Sequence, residues 1–152
     1  MYKKVLVPLD GSELAECSLS HVINLAKDGS VGEVILLNVV LIYVPIAEGA
    51  MSVYRELPEM REKAADHSNK YLAGVASRLG SAGIKVKTES LESERPAEII
   101  SDYARKNGID LIVITTHGYT GLKKMMLGSV SLELIHDAHM PVLLIRPESC
   151  RA

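Results

Sequence analysis

Apolar runs of strand length alternate along the chain with segments of helical periodicity. The apolar runs are residues 4–8, 34–40, 84–91, 111–114 and 141–146. Four of the five are apolar on both faces, which is typical of strands in a parallel sheet covered by helices on both sides. The third alternates apolar and polar positions at first, as a strand with one wetter face does. The order β-α-β-α-β-α-β-α-β predicts a doubly wound, five-stranded parallel α/β sheet in a single domain.

The segments between these runs have helical spacing and recognisable ends. Ser12 is a predicted N-cap for the first helix, and the second helix is expected from about Pro58 to Ala82. The third extends from Pro96 to the Asn107-Gly108 cap, and the fourth begins at Ser129. Residues 41–54 are apolar without a clear period and contain a proline and a glycine, so they are interpreted as a loop.

Composition narrows the choice of function. The 152 residues are 47% hydrophobic and 24% charged, as in an ordinary globular domain, expected here at residues 1–147 with a tail at 148–152. The net charge of −2 offers no attraction to nucleic acid or anionic membranes. Because a strand pattern starts at once and no apolar run reaches the ~20 residues of a membrane span, a cytoplasmic protein is expected. Cys17 and Cys150 form neither a disulfide framework nor a metal pattern, and are interpreted as reduced thiols.

The most informative segment is the polar, glycine-containing loop that follows the fourth apolar run. It contains Gly118 and ends at Gly128, where a helical pattern opens with the hydroxyls of Ser129 and Ser131. Backbone N–H groups at the positive end of a helix dipole bind phosphate groups. The pair Lys123-Lys124 inside this loop is either a solvated face or a phosphate contact.

A second loop, after the first apolar run, contains Pro8 and the turn Asp10-Gly11-Ser12. In open parallel sheets, ligands bind outside the carboxyl ends of the strands where the winding direction reverses, so the two loops are expected to meet in one crevice. The Asp10 carboxylate can accept both hydroxyls of a ribose. Gly118 and Gly128 allow a phosphate chain to approach the backbone closely. This set of groups suits a nucleotide better than a bare anion.

Each of these features has a structural alternative. The Asp10-Gly11-Ser12 turn is also a plain turn with a helix cap, and His117 is either a ligand contact or a hydrogen-bonded loop residue. His136 and His139 lie three residues apart without further ligands, so no metal site is expected. Walker, dinucleotide-binding and nucleophile-elbow motifs do not occur in the sequence. No catalytic residue is therefore assigned, and binding is favoured over catalysis.

These residues resemble those of universal stress proteins of the UspA type, and the resemblance covers essentially the whole chain. It extends from Val5-Leu-Val-Pro-Leu-Asp-Gly-Ser12 to Pro141-Val-Leu-Leu-Ile-Arg-Pro147. ATP-binding members carry the pattern G-x2-G-x9-G-[ST]. Here Gly118, nine residues and Gly128-Ser129 match it, and Thr115 replaces the first glycine. The resemblance implies a Rossmann-like fold of the adenine nucleotide alpha hydrolase type and a stress or regulatory protein that binds ATP or AMP, with the presence of Mg²⁺ left open.

The resemblance also implies roles for individual residues. Asp10 would hold the ribose, and Pro8 and Val39 would line the adenine. The ribose–phosphate chain would be surrounded by Thr115, His117, Gly118, Gly128, Ser129, Val130 and Ser131. In Glu94-Arg95-Pro96, which replaces a common Gly-x-Pro turn, Glu94 would repel a triphosphate and Arg95 could compensate.

Family members commonly form homodimers through the last strand. The apolar run Val142 to Ile145 is compatible with a sheet edge that a second copy covers. Two other functions stay open at this point. One is slow ATP hydrolysis or phosphoryl transfer assisted by Ser129 or His117, and the other is a homodimeric interaction module that binds no nucleotide.

Overall fold

The computed structural model describes residues 1–41, 51–116 and 128–147, with residues 51–55 as backbone only. Its elements, in chain order, are β1 (Tyr2–Pro8), α1 (Glu13–Glu16), α2 (Ser18–Lys27), β2 (Val31–Val40), α3 (Met51–Ser81), β3 (Val86–Glu92), α4 (Pro96–Lys106), β4 (Leu111–Thr115), α5 (Ser129–Asp137) and β5 (Val142–Ile145). None of the helices in the described ranges combines the length and apolarity needed to cross a membrane.

The five strands form one parallel sheet in the order β3-β2-β1-β4-β5. The chain therefore winds outward from β1 in one direction through β2 and β3, then returns to the other side of β1 for β4 and β5. Because parallel crossovers have one hand, this reversal places the helices on opposite faces of the sheet. The predicted doubly wound, five-stranded parallel sheet is confirmed.

Two apolar cores, one on each face of the sheet, explain why most strands are apolar on both sides. Successive residues of β1 alternate between them: Val5 and Val7 pack towards α2 and α3, whereas Leu6 packs towards α4 and α5. The strand β2 divides in the same way. The inward faces of the helices complete the cores, with Val22, Leu72, Val75 and Leu79 on one side and Ala97, Ile100, Ala104 and Leu134 on the other.

Two helix boundaries differ from the sequence prediction. The first predicted helix is interrupted at Cys17, whose N–H donates to the Leu14 carbonyl, one residue closer than in a regular α-helix. The second begins at Met51 rather than near Pro58, so residues 51–54 are helical and not part of a loop. A proline inside a helix removes one backbone donor and crowds the preceding turn, yet this 31-residue helix continues through it. Residues 42–50 lie outside the described ranges.

A buried carboxylate lies at the amino-terminal end of the sheet. Glu33 of β2 is buried, and its Oε1 atom is 3.3 Å from the Nζ atoms of both Lys85 and Lys87. Burial raises the pKa of the Glu33 carboxyl, but pairing with the two lysine ammonium groups outweighs burial and holds that pKa below its usual value. The charge of Glu33 is thus maintained in the folded protein at neutral pH.

The contact between β1 and β2 requires a glycine at position 32. A Cβ atom there would lie 2.8 Å from the backbone oxygen of Lys3, which real Cβ atoms essentially never do. We expect Gly32→Ala to lower the free energy of unfolding by about 1–3 kcal/mol, as overpacking typically does. Urea denaturation is the measurement.

Gly74→Ala is the matched control, because Gly74 is exposed within α3 and a Cβ atom there meets nothing within 4 Å. Replacing a helical glycine by alanine should raise the free energy of unfolding by up to about 1 kcal/mol. Equal effects of the two substitutions would contradict the close approach at Gly32.

Candidate functional site

A cavity of about 560 Å³ opens at the carboxyl ends of β1, β2 and β4, a volume within the usual range for small-molecule sites. Its walls come from both sides of the point where the winding reverses. They comprise Pro8, Leu9, Asp10 and Ala15 near β1, Leu37, Asn38, Val39, Val40 and Leu41 near β2, Ala64, His67 and Ser68 of α3, Pro96 and Ile100 of α4, and Ile114, Thr115, Thr116, Gly128, Ser129, Val130 and Ser131 near β4 and α5.

The turn after β1 fixes a carboxylate at the wall of this cavity. Asp10 Oδ1 accepts hydrogen bonds from the Ser12 backbone N–H at 2.9 Å and from Ser12 Oγ at 2.5 Å. Ser12 Oγ in turn accepts from Ala15 N at 3.1 Å and caps α1, as predicted. Gly11 between them has φ +86°, a conformation that favours glycine. The turn is a helix cap and also presents Asp10 to the cavity, so the two interpretations are compatible.

The start of α5 forms the opposite wall of the cavity and supplies backbone N–H groups there. Gly128 donates to the Thr116 carbonyl at 2.5 Å and provides no side chain to cap the first turn of the helix. Ser129 is exposed, whereas Ser131 is buried and donates from Oγ to the Gly128 carbonyl at 2.9 Å. This helix start therefore combines hydroxyl groups with the positive end of a helix dipole, an arrangement that attracts anions.

Thr115, at the position where the resemblance suggests a glycine, has no backbone strain. It is the last residue of β4 and lies in register with Ile145 of β5, so its backbone is extended. Strand geometry suits a β-branched residue, and a positive φ is not needed at this position. A β-branched residue is unfavourable at a left-handed backbone position, but Thr115 does not occupy one.

The segment Glu94-Arg95-Pro96 lies mostly outside the cavity. Of Glu94, Arg95 and Pro96, only Pro96 belongs to the cavity wall in the described part of the chain. Glu94 and Arg95 line a separate surface cleft, where Arg95 pairs with Glu98 at 3.1 Å. Arg95 thus neutralises a carboxylate of its own helix rather than a group in the cavity.

The cavity brings together eight of the ten residues that the sequence suggested for ligand binding. These are Pro8, Asp10, Val39, Thr115, Gly128, Ser129, Val130 and Ser131. His117 and Gly118 lie outside the described residues, as do Lys123 and Lys124.

Sequence reasoning missed three polar residues of the wall. Asn38 lies between Leu37 and Val39 in β2, and His67 and Ser68 come from α3. The available signals were a lone amide within the apolar run 34–40 and, in the second predicted helix, a serine at helical spacing from Leu72, Val75 and Leu79.

Side-chain contacts join α3 to α1, the short helix that follows the Asp10 turn. Tyr71 donates its hydroxyl to Glu16 Oε1 at 2.9 Å, and Arg78 binds Glu16 Oε2 at 2.8 Å. Burial, the hydrogen bond to Glu16 and the negative charges of Glu16 and Asp10 together raise the pKa of the Tyr71 phenol. Tyr71 therefore remains protonated and keeps α1 attached to the helix that forms part of the cavity wall.

The parallel sheet, with a cavity at its winding reversal, defines an α/β protein of the doubly wound class. Residues 1–146 match the Universal stress protein family, and the chain belongs to that family. This confirms the resemblance seen in the sequence.

Individual relatives cover nearly the whole chain. Universal stress protein MJ0531 of Methanocaldococcus jannaschii is 36% identical over 148 residues, which are 96% of this chain and 83% of that protein. The solved structure of protein MJ0577 from the same organism is 34% identical, with a TM-score of 0.82 and 96% of each chain covered. Universal stress protein UspA from Lactobacillus plantarum is 25% identical with a TM-score of 0.80, covering 95% of this chain and 98% of that one.

Strand geometry at Thr115 predicts that a glycine at this position would not favour a ligand in the cavity. We expect Thr115→Gly to raise the affinity for ATP by no more than about threefold. Its free energy of unfolding should fall by about 1–2 kcal/mol, because a buried strand residue loses side-chain contacts and gains backbone freedom. Calorimetric titration and urea denaturation measure the two quantities. A tenfold gain in affinity would show instead that the threonine side chain obstructs the ligand.

Proposed function

We propose that this universal stress protein binds an adenine nucleotide, ATP or AMP, in the cavity between the Asp10 turn and the start of α5, and that its bound state serves regulation. The observation that carries the proposal is that a carboxylate and an uncapped helix N-terminus border one cavity at the winding reversal. The proposal assigns the nucleotide-binding domain to residues 1–147, followed by a tail at 148–152, in a cytoplasmic protein.

The chemistry of the cavity divides in the way a nucleotide requires. Asp10, already oriented by Ser12, supplies acceptor oxygens for the ribose hydroxyls. Pro8 and Val39 provide apolar contact for the base. The backbone N–H groups at Ser129 and Val130 face the phosphate chain with the favourable end of the α5 dipole. His117 and Gly118 are proposed to complete the phosphate side.

Other universal stress proteins support the choice of an adenine nucleotide. A family member from Arabidopsis thaliana, 18% identical with a TM-score of 0.65, has been solved with AMP bound. The universal stress protein of Archaeoglobus fulgidus, 20% identical with a TM-score of 0.66, has been solved in complex with dAMP. At these identities the comparison with the present chain is one of fold, and the assignment of a ligand here rests on its own cavity.

Removing the Asp10 carboxylate tests the proposal. Hydrogen bonds to charged groups contribute about 1.5–3 kcal/mol, so Asp10→Ala should weaken ATP and AMP binding roughly 10- to 100-fold. Isothermal titration calorimetry with each nucleotide, with and without Mg²⁺, measures the change. Asp28→Ala is the matched control, because Asp28 is an exposed aspartate at the end of α2 and does not belong to the cavity wall.

Two outcomes would contradict the nucleotide proposal. One is a wild-type protein that gives no heat with either nucleotide and carries none in native mass spectrometry after purification. The other is an equal response to Asp10→Ala and Asp28→Ala. The first outcome would favour the interaction module that binds no nucleotide.

We also propose a homodimer formed through β5. This strand pairs only with β4 among the described residues and is therefore a sheet edge. Leu143 on β5 and two residues of the neighbouring α5, Leu132 and Ile135, are large apolar side chains left exposed. Exposed apolar side chains at a sheet edge promote association with another chain, and a symmetric second copy covers such an edge.

A charge placed at this edge should separate the two copies. We expect Leu143→Glu to raise the dimer dissociation constant by at least tenfold, because two carboxylates would be brought together at a twofold interface. Sedimentation equilibrium measures the constant. Met60→Glu is the control, since Met60 is also an exposed large apolar residue but lies on α3, away from β5. A wild-type monomer, or equal effects of both substitutions, would contradict the proposed interface.

A further inference from the structure

A chain of side-chain hydrogen bonds converges on the residue that precedes Asp10. Asn38 Nδ2 donates to the Leu9 carbonyl at 2.8 Å. Asn38 Oδ1 accepts from Ser68 Oγ at 2.6 Å, and Ser68 Oγ lies 2.7 Å from Ser90 Oγ. The three side chains come from β2, α3 and β3, so each belongs to a different element.

The direction of each hydrogen bond in this series follows from the donors and acceptors that each group has. The Leu9 carbonyl can only accept, so the Asn38 amide must turn its nitrogen towards Leu9 and its oxygen towards Ser68. Ser68 has one hydroxyl proton and gives it to Asn38. Ser90 is therefore the donor in its contact with Ser68. Every member has a single orientation, running from Ser90 through Ser68 and Asn38 to the Leu9 carbonyl.

The series of side-chain hydrogen bonds takes the place of a backbone hydrogen bond at the end of β1. Leu9 still donates its N–H to the Leu37 carbonyl at 2.8 Å, but β1 ends at Pro8 and the backbone turns away from β2. The side chain of Asn38 then supplies the donor for the Leu9 carbonyl. Because the Leu9 carbonyl and the Asp10 N–H belong to one rigid peptide plane, fixing one fixes the other.

We infer that Asn38, Ser68 and Ser90 are positioning residues that set the Asp10 carboxylate for its ligand. The inference rests on the proposed nucleotide function and deepens it, because it locates part of the binding affinity in residues outside the Asp10 turn. Asn38 and Ser68 also border the cavity, whereas Ser90 does not. Ser90 therefore acts on a ligand only through the hydrogen-bond chain and gives the clearest test.

The experiment compares Ser90→Ala, Ser68→Ala and the wild-type chain by two measurements. Calorimetric titration with AMP measures affinity. The amide resonance of Asp10 in a ¹H–¹⁵N spectrum reports on the environment of the Leu9–Asp10 peptide group, with or without a ligand. We expect AMP binding to weaken about two- to fivefold in Ser90→Ala and at least tenfold in Ser68→Ala, with the Asp10 resonance shifted in both.

Two control variants separate positioning from general damage. Ser90→Thr retains the hydroxyl in a strand and should restore wild-type affinity and the Asp10 resonance. Ser101→Ala removes a hydroxyl that donates to the Asp137 carbonyl, away from the cavity wall, and should change neither.

The outcomes distinguish this inference from the proposed function. Wild-type affinity with an unmoved Asp10 resonance in both alanine variants would overturn the positioning role. Weaker binding in Ser90→Ala with an unmoved Asp10 resonance would also overturn the positioning role, because Ser90 would then affect binding without acting on the Leu9–Asp10 peptide group. If the wild-type chain binds neither AMP nor ATP, the nucleotide proposal fails, and the Asp10 resonance alone decides the positioning role.

Discussion

Parallel pairing of β1 on both of its edges is the constraint on which the rest of the structure depends. The strand pairs with β2 on one side and β4 on the other, and all three run in the same direction. The chain leaving β1 and the chain leaving β4 must therefore depart in opposite directions, towards helices on opposite faces. A gap opens between these departures, and the cavity occupies it. The Asp10 turn and the α5 start face each other for this reason.

Main-chain geometry provides part of the lining of that gap. The peptide groups at the start of α5 line it whatever their side chains, whereas the turn before α1 needs glycine at a positive φ at Gly11. The side chains that matter most are those that orient the main chain, such as Ser12 and Asn38, rather than those with reactive groups.

Local patterns were sufficient to predict the sheet and the half of the site built from the strand ends. Strands buried on both faces carry continuous apolar runs, and a turn with a cap such as Asp10-Gly11-Ser12 is encoded within a few neighbouring residues. The start of α3 and the contribution of its residues to the cavity were not predicted. Pro58 resembled a start signal because local rules cannot reveal whether tertiary packing carries a helix through a proline.

Contacts between distant residues are the other part that local patterns could not supply. Glu16 binds Tyr71 and Arg78, which are far from it in the sequence. The hydrogen bonds that lead from Ser90 to Leu9 likewise join residues that only the folded sheet brings together. Each of these residues is individually ordinary for its element, so nothing in its immediate neighbours marks it. Asn38 is the exception, since an amide inside an apolar run implies a buried partner.

The Glu33 carboxylate, with Lys85 and Lys87, has a consequence for the behaviour of the protein in acid. Its pKa is lowered in the folded state, so it contributes stability above the pKa of the unfolded chain, and this contribution is lost as the pH falls through the folded value. Glu33 lies near the amino ends of the strands, whereas the cavity lies at their carboxyl ends. Protonation of Glu33 thus removes stability at the end of the sheet opposite the cavity, which separates this source of acid sensitivity from the proposed ligand site.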